Sequence, residues 1–369
     1  MDPRRRSNPS PPPRSGVIRA LIALLCALIA SAACSAAAPS AAPSPVTSPS
    51  LSPSVSAVPS APPSAPPSPQ PSPQPAASPE TAFPLTLTDG EGTEITLDAP
   101  PERVVSLSPA NTEIVFALGA GDVLVGGTDF DDFPAEAAGL PDVATFTGVL
   151  MEQVVDLDPE LVLAAGNGFT PAPDIERMRE LGFPVLVVYA ETVDEVLADI
   201  ELIGLAIDRE DEATELTAGM RDRIEEVTTA PRDSREEPRV FYQIGSEPEI
   251  YGPAPGSFIA DMVQLAGGEP ITTSDPTVFS IPLEQLVTAD PEIIVVGDAA
   301  YGVCPDQVAA RPGWREMTAV REDAVRPIDD TIVTRPGPRL AEGLASLAVA
   351  IDPDLELPSP PPAVTFCAP

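Results

Sequence analysis

The sequence predicts an α/β protein of two similarly built lobes joined by one long helix, and three observations support this prediction. A segment of the chain recurs, since residues 151–163 (MEQVVDLDPELVL) return in edited form as residues 283–295 (LEQLVTADPEIIV). Short aliphatic runs alternate with helical patterns along the chain, which is typical of α/β units. Residues 193–227 are helical in pattern with one break near Asp208, as expected of a largely exposed helix between two compact lobes.

Both copies of the repeat carry the same signals in the same order. A Glu-Gln pair opens a short helical pattern, an Asp-Pro-Glu turn ends it, and an aliphatic run follows. Asp-Pro stops a helix because the proline ring disfavours the α conformation of the residue before it. The aliphatic run is typical of a buried parallel strand. The repeat therefore predicts two lobes that each present a glutamate at a matching surface point, Glu152 and Glu284.

Local patterns predict the remaining elements. Alternating residues around a Gly-containing turn predict a hairpin over residues 85–97. Residues 104–107 form a strand, and Ser108-Pro109 then begins a helix that runs to Leu118. Further strands are predicted at 123–126, 161–165, 185–189, 240–244, 293–297 and 325–328, and further helices at 175–181 and 258–266.

Composition divides the chain into six segments. Residues 1–34 combine an Arg-rich start, a short apolar run and small residues, which is the pattern of a secretory signal. Residues 35–82 are almost entirely Pro, Ala and Ser, which predicts a disordered tether. The expected globular part comprises an N-terminal lobe at 83–207, a linking helix at 208–230 and a C-terminal lobe at 231–352, followed by a Pro-rich tail at 353–369.

The cysteines indicate an exported protein. Cys34 at the end of the signal resembles the lipobox cysteine of bacterial lipoproteins, which carries the lipid after cleavage. This resemblance implies anchoring at the outer face of the cytoplasmic membrane or in the periplasm. The alternative is an ordinary signal peptide with an incidental cysteine. In an exported protein, Cys304 and Cys367 favour a disulfide, with two free buried thiols as the alternative.

Charge and composition exclude several classes of function. The chain has 56 acidic and 20 basic residues, for a net charge of -36, and it contains no histidine. Such acidity argues against a nucleic-acid partner, because binding to phosphates needs basic side chains. The missing histidine excludes Ser-His-Asp and Cys-His catalysis and imidazole metal sites. We therefore expect no resident metal site of this kind.

Residues 103–113 (RVVSLSPANTE) resemble the entry motif of cobalamin-binding periplasmic proteins. These belong to the iron-siderophore/cobalamin group of ABC-transporter substrate-binding proteins. The likeness spans roughly residues 84–352. It implies a class III periplasmic-binding-protein fold, in which two Rossmann-like lobes are joined by a single long α-helix and hold the ligand between them. The other matching segments are residues 130–134 (FDDFP), both Glu-Gln segments, residues 311–314 (RPGW) and residues 335–339 (RPGPR).

The resemblance implies a substrate-binding lipoprotein that is not an enzyme, has no cofactor of its own and is expected to be a monomer. It would deliver cobalamin or another corrinoid to an ABC permease dimer with its ATPase subunits. A ferric siderophore or haem is the alternative cargo; without histidine, the metal must arrive already chelated. The family's permease-docking glutamates correspond to Glu152 and Glu284; the alternative is that each is only a first-turn acid favoured by the helix dipole. Two different classes, a carboxylate-based surface hydrolase and a recognition module without transport, also remain as alternatives.

Candidate ligand contacts lie after the strand ends, where parallel α/β lobes bind ligands. Aromatic rings there would suit a large flat ligand, with core packing as the alternative for each. The resemblance implies that Arg335 is a cleft arginine for a polar group of the ligand, whereas Arg339 is expected to pair with a protein carboxylate. Asn111 offers an amide to the cleft or caps its helix, and Trp314 is expected to pack structurally. The aromatic candidates are Phe130, Phe133, Phe146, Phe169, Tyr251, Phe279 and Tyr301.

Overall fold

The computed structural model describes residues 82–166, 168–232, 236–364 and 366–367. The predicted signal, most of the tether and the lipidation site Cys34 lie outside these residues. The described chain confirms the α/β class, with two sheets of mainly parallel strands and a separate hairpin. The hairpin pairs β1 (Leu85–Thr88) with β2 (Glu94–Leu97), as the alternating pattern predicted.

The first sheet has six strands in the order β6-β5-β4-β3-β7-β8. All neighbours are parallel except β6, which runs antiparallel to β5. The four strands predicted in this region are confirmed, but β5 and β6 were missed because each is short and contains few apolar residues. The strands are β3 (Val104–Ser106), β4 (Leu124–Thr128), β5 (Asp142–Thr145), β6 (Gly148–Val149), β7 (Leu161–Ala165) and β8 (Val185–Val188).

The second sheet has four parallel strands in the order β10-β9-β11-β12. The three strands predicted here are confirmed, whereas β10 was missed because it has only two residues, one of them proline. We call the first sheet with its helices the first lobe and the second sheet with its helices the second lobe. The strands are β9 (Arg239–Gln243), β10 (Glu269–Pro270), β11 (Ile293–Val296) and β12 (Val325–Pro327).

Eleven α-helices surround the sheets in the described part of the chain. The three helices predicted from capping and periodicity correspond to α1, α3 and α6. Within the described residues, we find no helix with the length and apolarity required to span a membrane. The helices are α1 (Pro109–Ala117), α2 (Met151–Leu157), α3 (Ala172–Glu180), α4 (Val193–Ala206), α5 (Glu210–Thr229), α6 (Phe258–Leu265), α7 (Leu283–Ala289), α8 (Pro305–Ala309), α9 (Thr318–Arg321), α10 (Asp330–Thr334) and α11 (Leu340–Ile351).

The repeated segment folds the same way in both lobes. Helices α2 and α7 end at Asp158 and Asp290, which adopt left-handed backbone conformations with φ of 46° and 47°. Each aspartate precedes a proline, so its departure from the α conformation matches the expected stop signal. Strands β7 and β11 follow these turns and lie inside their sheets, each with a strand on both sides. The repeat therefore supplies one interior strand and one adjacent helix to each lobe.

An arginine closes the repeated helix in both lobes. Arg103, just before β3, donates hydrogen bonds to the carbonyl oxygens of the last residue of α2 and of Asp158. Arg239, at the start of β9, donates to the carbonyl oxygens of Ala289 and Asp290 at the end of α7. These contacts satisfy carbonyl groups that have no partner inside a helix and place a positive charge at its negative end.

Helices α4 and α5 connect the lobes. The predicted break is confirmed at Asp208, whose φ is 58°. Gly204 permits a close crossing of the two helices, because a Cβ at this position would overlap the Cβ of Ala213 in α5. Helix α5 also packs on α11 of the second lobe, where Arg223 pairs with Glu342 at 3.1 Å. The exact bounds predicted for the lobes and the linking helix stay predictions.

One apolar cluster runs through both lobes. It contains residues of β3, β7 and β8 in the first lobe, of β9 and β11 in the second, and of the helices α4, α5, α6 and α11. Two smaller clusters cover the opposite face of each sheet. The lobes are therefore joined by continuous hydrophobic packing as well as by the covalent chain.

Candidate functional site

Segments that follow the carboxyl ends of strands in the two lobes meet at a junction, which we call the cleft. Loops after β3 and β4 in the first lobe meet the segment between α10 and α11 in the second. A Cβ built on Gly337 of this segment would lie 3.5 Å from the carbonyl oxygen of Ala110 in α1. Since ligands of parallel α/β sheets gather at these strand ends, the cleft is the candidate binding site.

Ion pairs hold the lobes together at this cleft. Arg335 lies 3.0 Å from Oε1 of Glu113 and 2.5 Å from Oδ1 of Asp132. Arg339 donates to both carboxylate oxygens of Glu113, at 2.7 and 2.8 Å. The side chain of Glu113 is only 2% exposed, so it carries two arginine contacts in a nearly dry environment. The expected structural role of Arg339 is confirmed.

Arg335 is therefore engaged with protein carboxylates. Burial opposes its charge, but hydrogen bonds from Arg335 to Asp132 and Glu113 outweigh burial and raise its pKa. The hydrogen bond from Arg335 lowers the pKa of Asp132 in turn. A ligand group that contacts Arg335 has to share its guanidinium with these carboxylates. The ligand role of Arg335 stays a prediction.

The FDDFP segment forms a loop that is held by hydrogen bonds beside these ion pairs. The buried carboxylate of Asp131 accepts hydrogen bonds from the hydroxyl groups of Thr112 and Thr128, both at 2.7 Å, and from the backbone N–H of Thr128. The guanidinium carbon of Arg339 lies 4.3 Å from the centre of the Phe133 ring, which is a cation–π contact between the lobes. The motif thus fixes the aromatic residues on either side of the two aspartates.

Four phenylalanines of the first lobe follow its strand ends and are exposed. Phe130 and Phe133 come after β4 and are 48% and 45% exposed, Phe146 after β5 is 89% exposed, and Phe169 after β7 is 64% exposed. Core packing does not account for rings with this much exposure. A group of exposed rings along one edge of a sheet is typical of a surface that binds a partner.

The aromatic candidates of the second lobe are fewer. Phe279 is 42% exposed, and Tyr301, in a 3-10 helix directly after β11, is 80% exposed. Tyr251 is partly buried and bridges Gly245 and Ser280 through backbone hydrogen bonds. Tyr251 therefore also has a structural role that joins two loops of this lobe.

Asn111 is a buried amide at the start of α1. The cap of this helix is Ser108, whose hydroxyl oxygen accepts from the backbone N–H of Asn111, so the side chain of Asn111 is not the cap. Its residue is 2% exposed, and Nδ2 has no acceptor among the described residues. Buried amide donors are rarely left unpaired. Asn111 thus remains a candidate hydrogen-bond donor to a ligand.

A polar network that the sequence analysis did not single out occupies the matching edge of the second lobe. Gln243, the last residue of β9, donates to Asp298 at 2.6 Å and accepts from Arg311 at 2.7 Å. Arg311 also donates to the hydroxyl oxygen of Ser246 at 2.8 Å. The Trp314 ring lies under the guanidinium at 4.9 Å and is only 3% exposed, so the structural role predicted for Trp314 is confirmed.

Other residues at the strand ends were also missed. Tyr189, directly after β8, is 39% exposed. Asp330, after β12, accepts a hydrogen bond from the hydroxyl group of the buried Tyr242 at 3.3 Å, and burial raises the pKa of Asp330 to about 6. The rule that ligands gather at strand ends would have identified both residues, because each lies within three residues of its strand.

Glu152 and Glu284 occupy matching exposed positions. Each is the second residue of its helix, α2 or α7, and the two helices pack beside different sheets. Exposure is what a docking role requires, but a first-turn acid would be exposed as well. Their docking role stays a prediction.

The predicted disulfide between Cys304 and Cys367 is present. Phe366 and Cys367 pack against the apolar cluster of the second lobe, so the disulfide attaches the end of the tail to this lobe. The described residues 353–364 of the tail contain no helix or strand.

A separate cavity of about 940 Å³ opens at the opposite edge of the second sheet, beside Arg239, Glu292 and Asp352. It shares no residue with the cleft loops, and we assign no ligand to it. Within the described parts of the chain, we find no cluster of three His, Cys, Asp or Glu residues arranged to hold a metal ion.

The sequence and the fold place the chain among known proteins. Residues 104–331 match the family model described as periplasmic binding protein. The chain belongs to this family. It is 34% identical over 276 residues to the uncharacterized ABC transporter substrate-binding lipoprotein YvrC of Bacillus subtilis, covering 74% of this chain and 87% of that protein.

Two further comparisons concern cobalamin. The chain is 32% identical over 285 residues to the cobalamin-binding protein of Halobacterium salinarum, covering 73% of this chain and 74% of that protein. The crystal structure of the periplasmic vitamin B12 binding protein BtuF of Vibrio cholerae superposes with a TM-score of 0.60 at 26% identity, covering 68% of this chain and 97% of that chain. The class III fold of this family is therefore also the fold of the present chain.

Proposed function

We propose that the protein is an extracytoplasmic substrate-binding protein of an ABC importer that captures cobalamin or another corrinoid in the cleft. It delivers this cargo to a permease dimer with its ATPase subunits and carries out no chemistry on it. The observation that carries the proposal is the row of exposed aromatic rings along the strand ends, at the cleft where the two lobes meet. The named cobalamin-binding relatives support the choice of cargo.

The cleft contacts follow from the chemistry of a corrinoid. Its conjugated ring is broad and flat, so the faces and edges of phenylalanine rings provide apolar contact. The amide side chains around the ring need hydrogen-bonding partners, and Asn111 and Arg335 lie where the lobes meet. The proposed aromatic contacts are Phe130, Phe133, Phe146, Phe169, Tyr251, Phe279 and Tyr301.

A titration of the purified protein with cyanocobalamin tests the proposal. We expect saturable binding by isothermal calorimetry at one molecule per chain, and cobalamin recovered unchanged after release. Conversion of the ligand would instead indicate an enzyme. The proposed function would be contradicted if the protein bound neither cyanocobalamin, nor other corrinoids, nor ferric chelates.

Replacement of Phe146 tests whether the exposed aromatic rings at the strand ends contact the ligand. Because Phe146 is 89% exposed, Phe146→Ala is expected to change the free energy of unfolding by less than about 0.5 kcal/mol. The affinity for cyanocobalamin is expected to fall about tenfold, since an aromatic contact at a binding surface is lost. Leu181→Ala is the matched control, because Leu181 is 40% exposed but lies before β8, at the edge of the sheet away from the cleft. Equal affinities of the two variants would remove Phe146 from the site.

We also propose that Glu152 and Glu284 dock onto the two permease subunits. The support is their matched exposure on equivalent helices of different lobes. One chain then supplies both contacts, so the protein acts as a monomer. Charge pairs across such an interface guide association and orientation.

The docking proposal predicts a loss of transport without a loss of binding. Glu152→Arg combined with Glu284→Arg is expected to abolish cobalamin uptake by cells that express the importer, while calorimetry shows unchanged affinity. Glu176→Arg with Glu212→Arg is the control, since both glutamates are exposed and the charge change is the same. Uptake that persists in the first variant, or fails equally in both, would refute docking at these positions.

We propose that Cys34 carries the lipid that anchors the protein at the outer face of the cytoplasmic membrane or in the periplasm. The support is the small-residue sequence before Cys34 and the name lipoprotein carried by the Bacillus subtilis relative. Cys34→Ala is expected to release the protein from the membrane fraction, which immunoblotting of cell fractions detects. Unchanged membrane association would contradict the anchor.

A further inference from the structure

The cleft edges of the two lobes carry more carboxylates than arginines. In the first lobe the carboxylates lie in α1 and in the loop after β4. In the second lobe they lie in the segments after β9, β11 and β12. The carboxylates include Glu113, Asp129, Asp131, Asp132, Glu247, Asp298, Asp329 and Asp330, and the arginines of these edges are Arg311, Arg335 and Arg339.

Two of the three arginines are already neutralised. Arg335 and Arg339 share the buried carboxylate of Glu113, and Arg335 also binds Asp132. Both arginine side chains are mostly buried, with 19% and 22% of their surface exposed. These ion pairs join the lobes and leave no unbalanced positive charge for a ligand.

The positive charge of the third arginine, Arg311, is balanced by the carboxylate of Asp298, to which a hydrogen-bond network connects it. Arg311 donates to Gln243 and Ser246, and both of these residues donate to the carboxylate of Asp298, at 2.6 and 3.4 Å. Burial lowers the pKa of Arg311, and the charges of Asp298 and Glu247 act against this decrease. The network therefore connects the guanidinium of Arg311 to the carboxylate of Asp298 through Gln243 and Ser246.

Two further carboxylates at the cleft edge of the second lobe, Asp329 and Asp330, form hydrogen bonds with neutral groups. Asp329 accepts from the backbone N–H and hydroxyl group of Thr331, and Asp330 accepts from Tyr242. Within the residues that the structure describes, neither aspartate forms an ion pair with an arginine. This edge of the cleft therefore has a net negative charge, in a protein whose whole chain carries a formal charge of -36.

We infer that the cleft selects metal chelates that carry no net negative charge and rejects polyanionic ones. The inference rests on the proposed function and narrows its substrate class. A ligand with several carboxylates or catecholates would bring like charges next to Glu247, Asp329 and Asp330, and this repulsion acts against binding and slows approach. A corrinoid whose peripheral groups are amides does not meet this barrier. Ferric tris-catecholates are thereby excluded as cargo, whereas neutral and cationic ferric chelates are not.

The test compares two corrinoids that share a ring and differ in charge. Cobinamide carries amides around the ring, and cobyrinic acid carries carboxylates at the same positions. We expect the purified protein to bind cobyrinic acid at least about 100-fold more weakly at low ionic strength. The deficit should shrink several-fold as salt is raised, because salt screens exposed charges. A ferric tris-catecholate should show no saturable binding.

A variant that removes two carboxylates of the cleft tests whether the difference in affinity between the two corrinoids arises there. Glu247→Gln combined with Asp329→Asn is expected to narrow the affinity ratio between the two corrinoids about tenfold, since two of the repelling charges are removed. Asparagine is also a good helix cap, so α10 should keep its start. Glu176→Gln with Glu212→Gln, which removes two exposed charges outside the cleft, should leave the ratio unchanged.

The outcomes separate the inference from the proposed function. Cobyrinic acid that binds within about threefold of cobinamide at low ionic strength would overturn charge selection and leave the importer function in place. An affinity ratio that does not respond to the cleft variant would overturn it as well. If no corrinoid and no ferric chelate bound, the proposed function would be overturned. Charge selection, which rests on that function, would then be overturned too.

Discussion

The two lobes share the helix, turn and strand of the repeated segment, residues 151–163 and 283–295, and they differ at their cleft edges. We call this shared element with its hydrogen bonds the frame. In both, a short helix ends at a left-handed aspartate, an arginine binds the last carbonyl oxygens, and an interior strand follows. The glutamates of the Asp-Pro-Glu turns have similar roles: Glu160 accepts from the backbone N–H of Glu102, two residues before β3, and Glu292 accepts from that of Arg239, the first residue of β9. The frame is therefore conserved within the molecule at the level of individual hydrogen bonds.

The cleft edges are different. The first lobe presents exposed phenylalanines after β4, β5 and β7, whereas the second presents an arginine-centred network with several carboxylates. The repeated element therefore builds both lobes in the same way, and under the proposed function the loops after the strands select the ligand. The four exposed phenylalanines of the cleft edges lie in the first lobe, whereas the three arginines of these edges lie in the second.

The largest expected effect concerns Glu113, whose ion pairs with Arg335 and Arg339 join the cleft edges of the two lobes. Glu113→Gln leaves Arg335 and Arg339 without their shared buried carboxylate, so we expect a loss of about 3 kcal/mol in the free energy of unfolding, measured by urea denaturation. Asp132→Asn is the control, because the Asp132 side chain is 63% exposed and should cost less than about 1 kcal/mol. Equal losses of the free energy of unfolding in the two variants would contradict a stabilising role of the buried ion pairs between the lobes.

A smaller effect is expected from the acidic edge of the second lobe. The pKa of Asp330 is raised by burial from 3.8 to about 6, so the native state loses stability as pH rises from about 4 through about 6. Asp330→Asn removes this titration and keeps an acceptor for the hydroxyl group of Tyr242. The full shift corresponds to about 3 kcal/mol, and solvent screening of the partly exposed Asp330 reduces it. We expect the variant to match the wild type near pH 4 and to be about 2 kcal/mol more stable near pH 7.5. Urea denaturation at both pH values would detect the difference, and a constant difference would contradict the assignment.

The smallest effect tests whether the two frames are equivalent. Arg103→Ala and Arg239→Ala each remove the arginine from a helix end, so each should lower the free energy of unfolding by about 1 kcal/mol. Arg177→Ala is the control, since the side chain of Arg177 is 56% exposed and its pair with Glu180 should contribute less than about 0.5 kcal/mol. A loss confined to one of the two frame variants would break the equivalence of the lobes.

Much of the fold could be predicted from the sequence. The repeat, the Asp-Pro stops, the hairpin and seven further strands are encoded by local patterns of apolar residues and turn residues. Strands β5, β6 and β10 could not be predicted in this way, because short edge strands are stabilised by pairing with neighbours rather than by their own composition. The disulfide could be predicted because only two cysteines remain in the globular part of an exported chain.

The candidate site could be predicted only in part. The exposed phenylalanines follow from their positions after predicted strands. The partners of Arg335, Arg339 and Arg311 could not be read from the sequence, because Glu113 and Arg335 are separated by 222 residues along the chain. Contacts of this kind depend on the angle between the lobes, which the shared apolar cluster and the α4–α5 crossing set.

The sequence by itself determined the α/β class, the doubled frame and the paired surface glutamates, since local backbone preferences and hydrophobic periodicity act over a few residues. Only the tertiary structure decided which charges meet in the cleft and which remain unpaired. The physical reason is that electrostatic interactions depend on distance and burial in space, and both are fixed when the two lobes pack together.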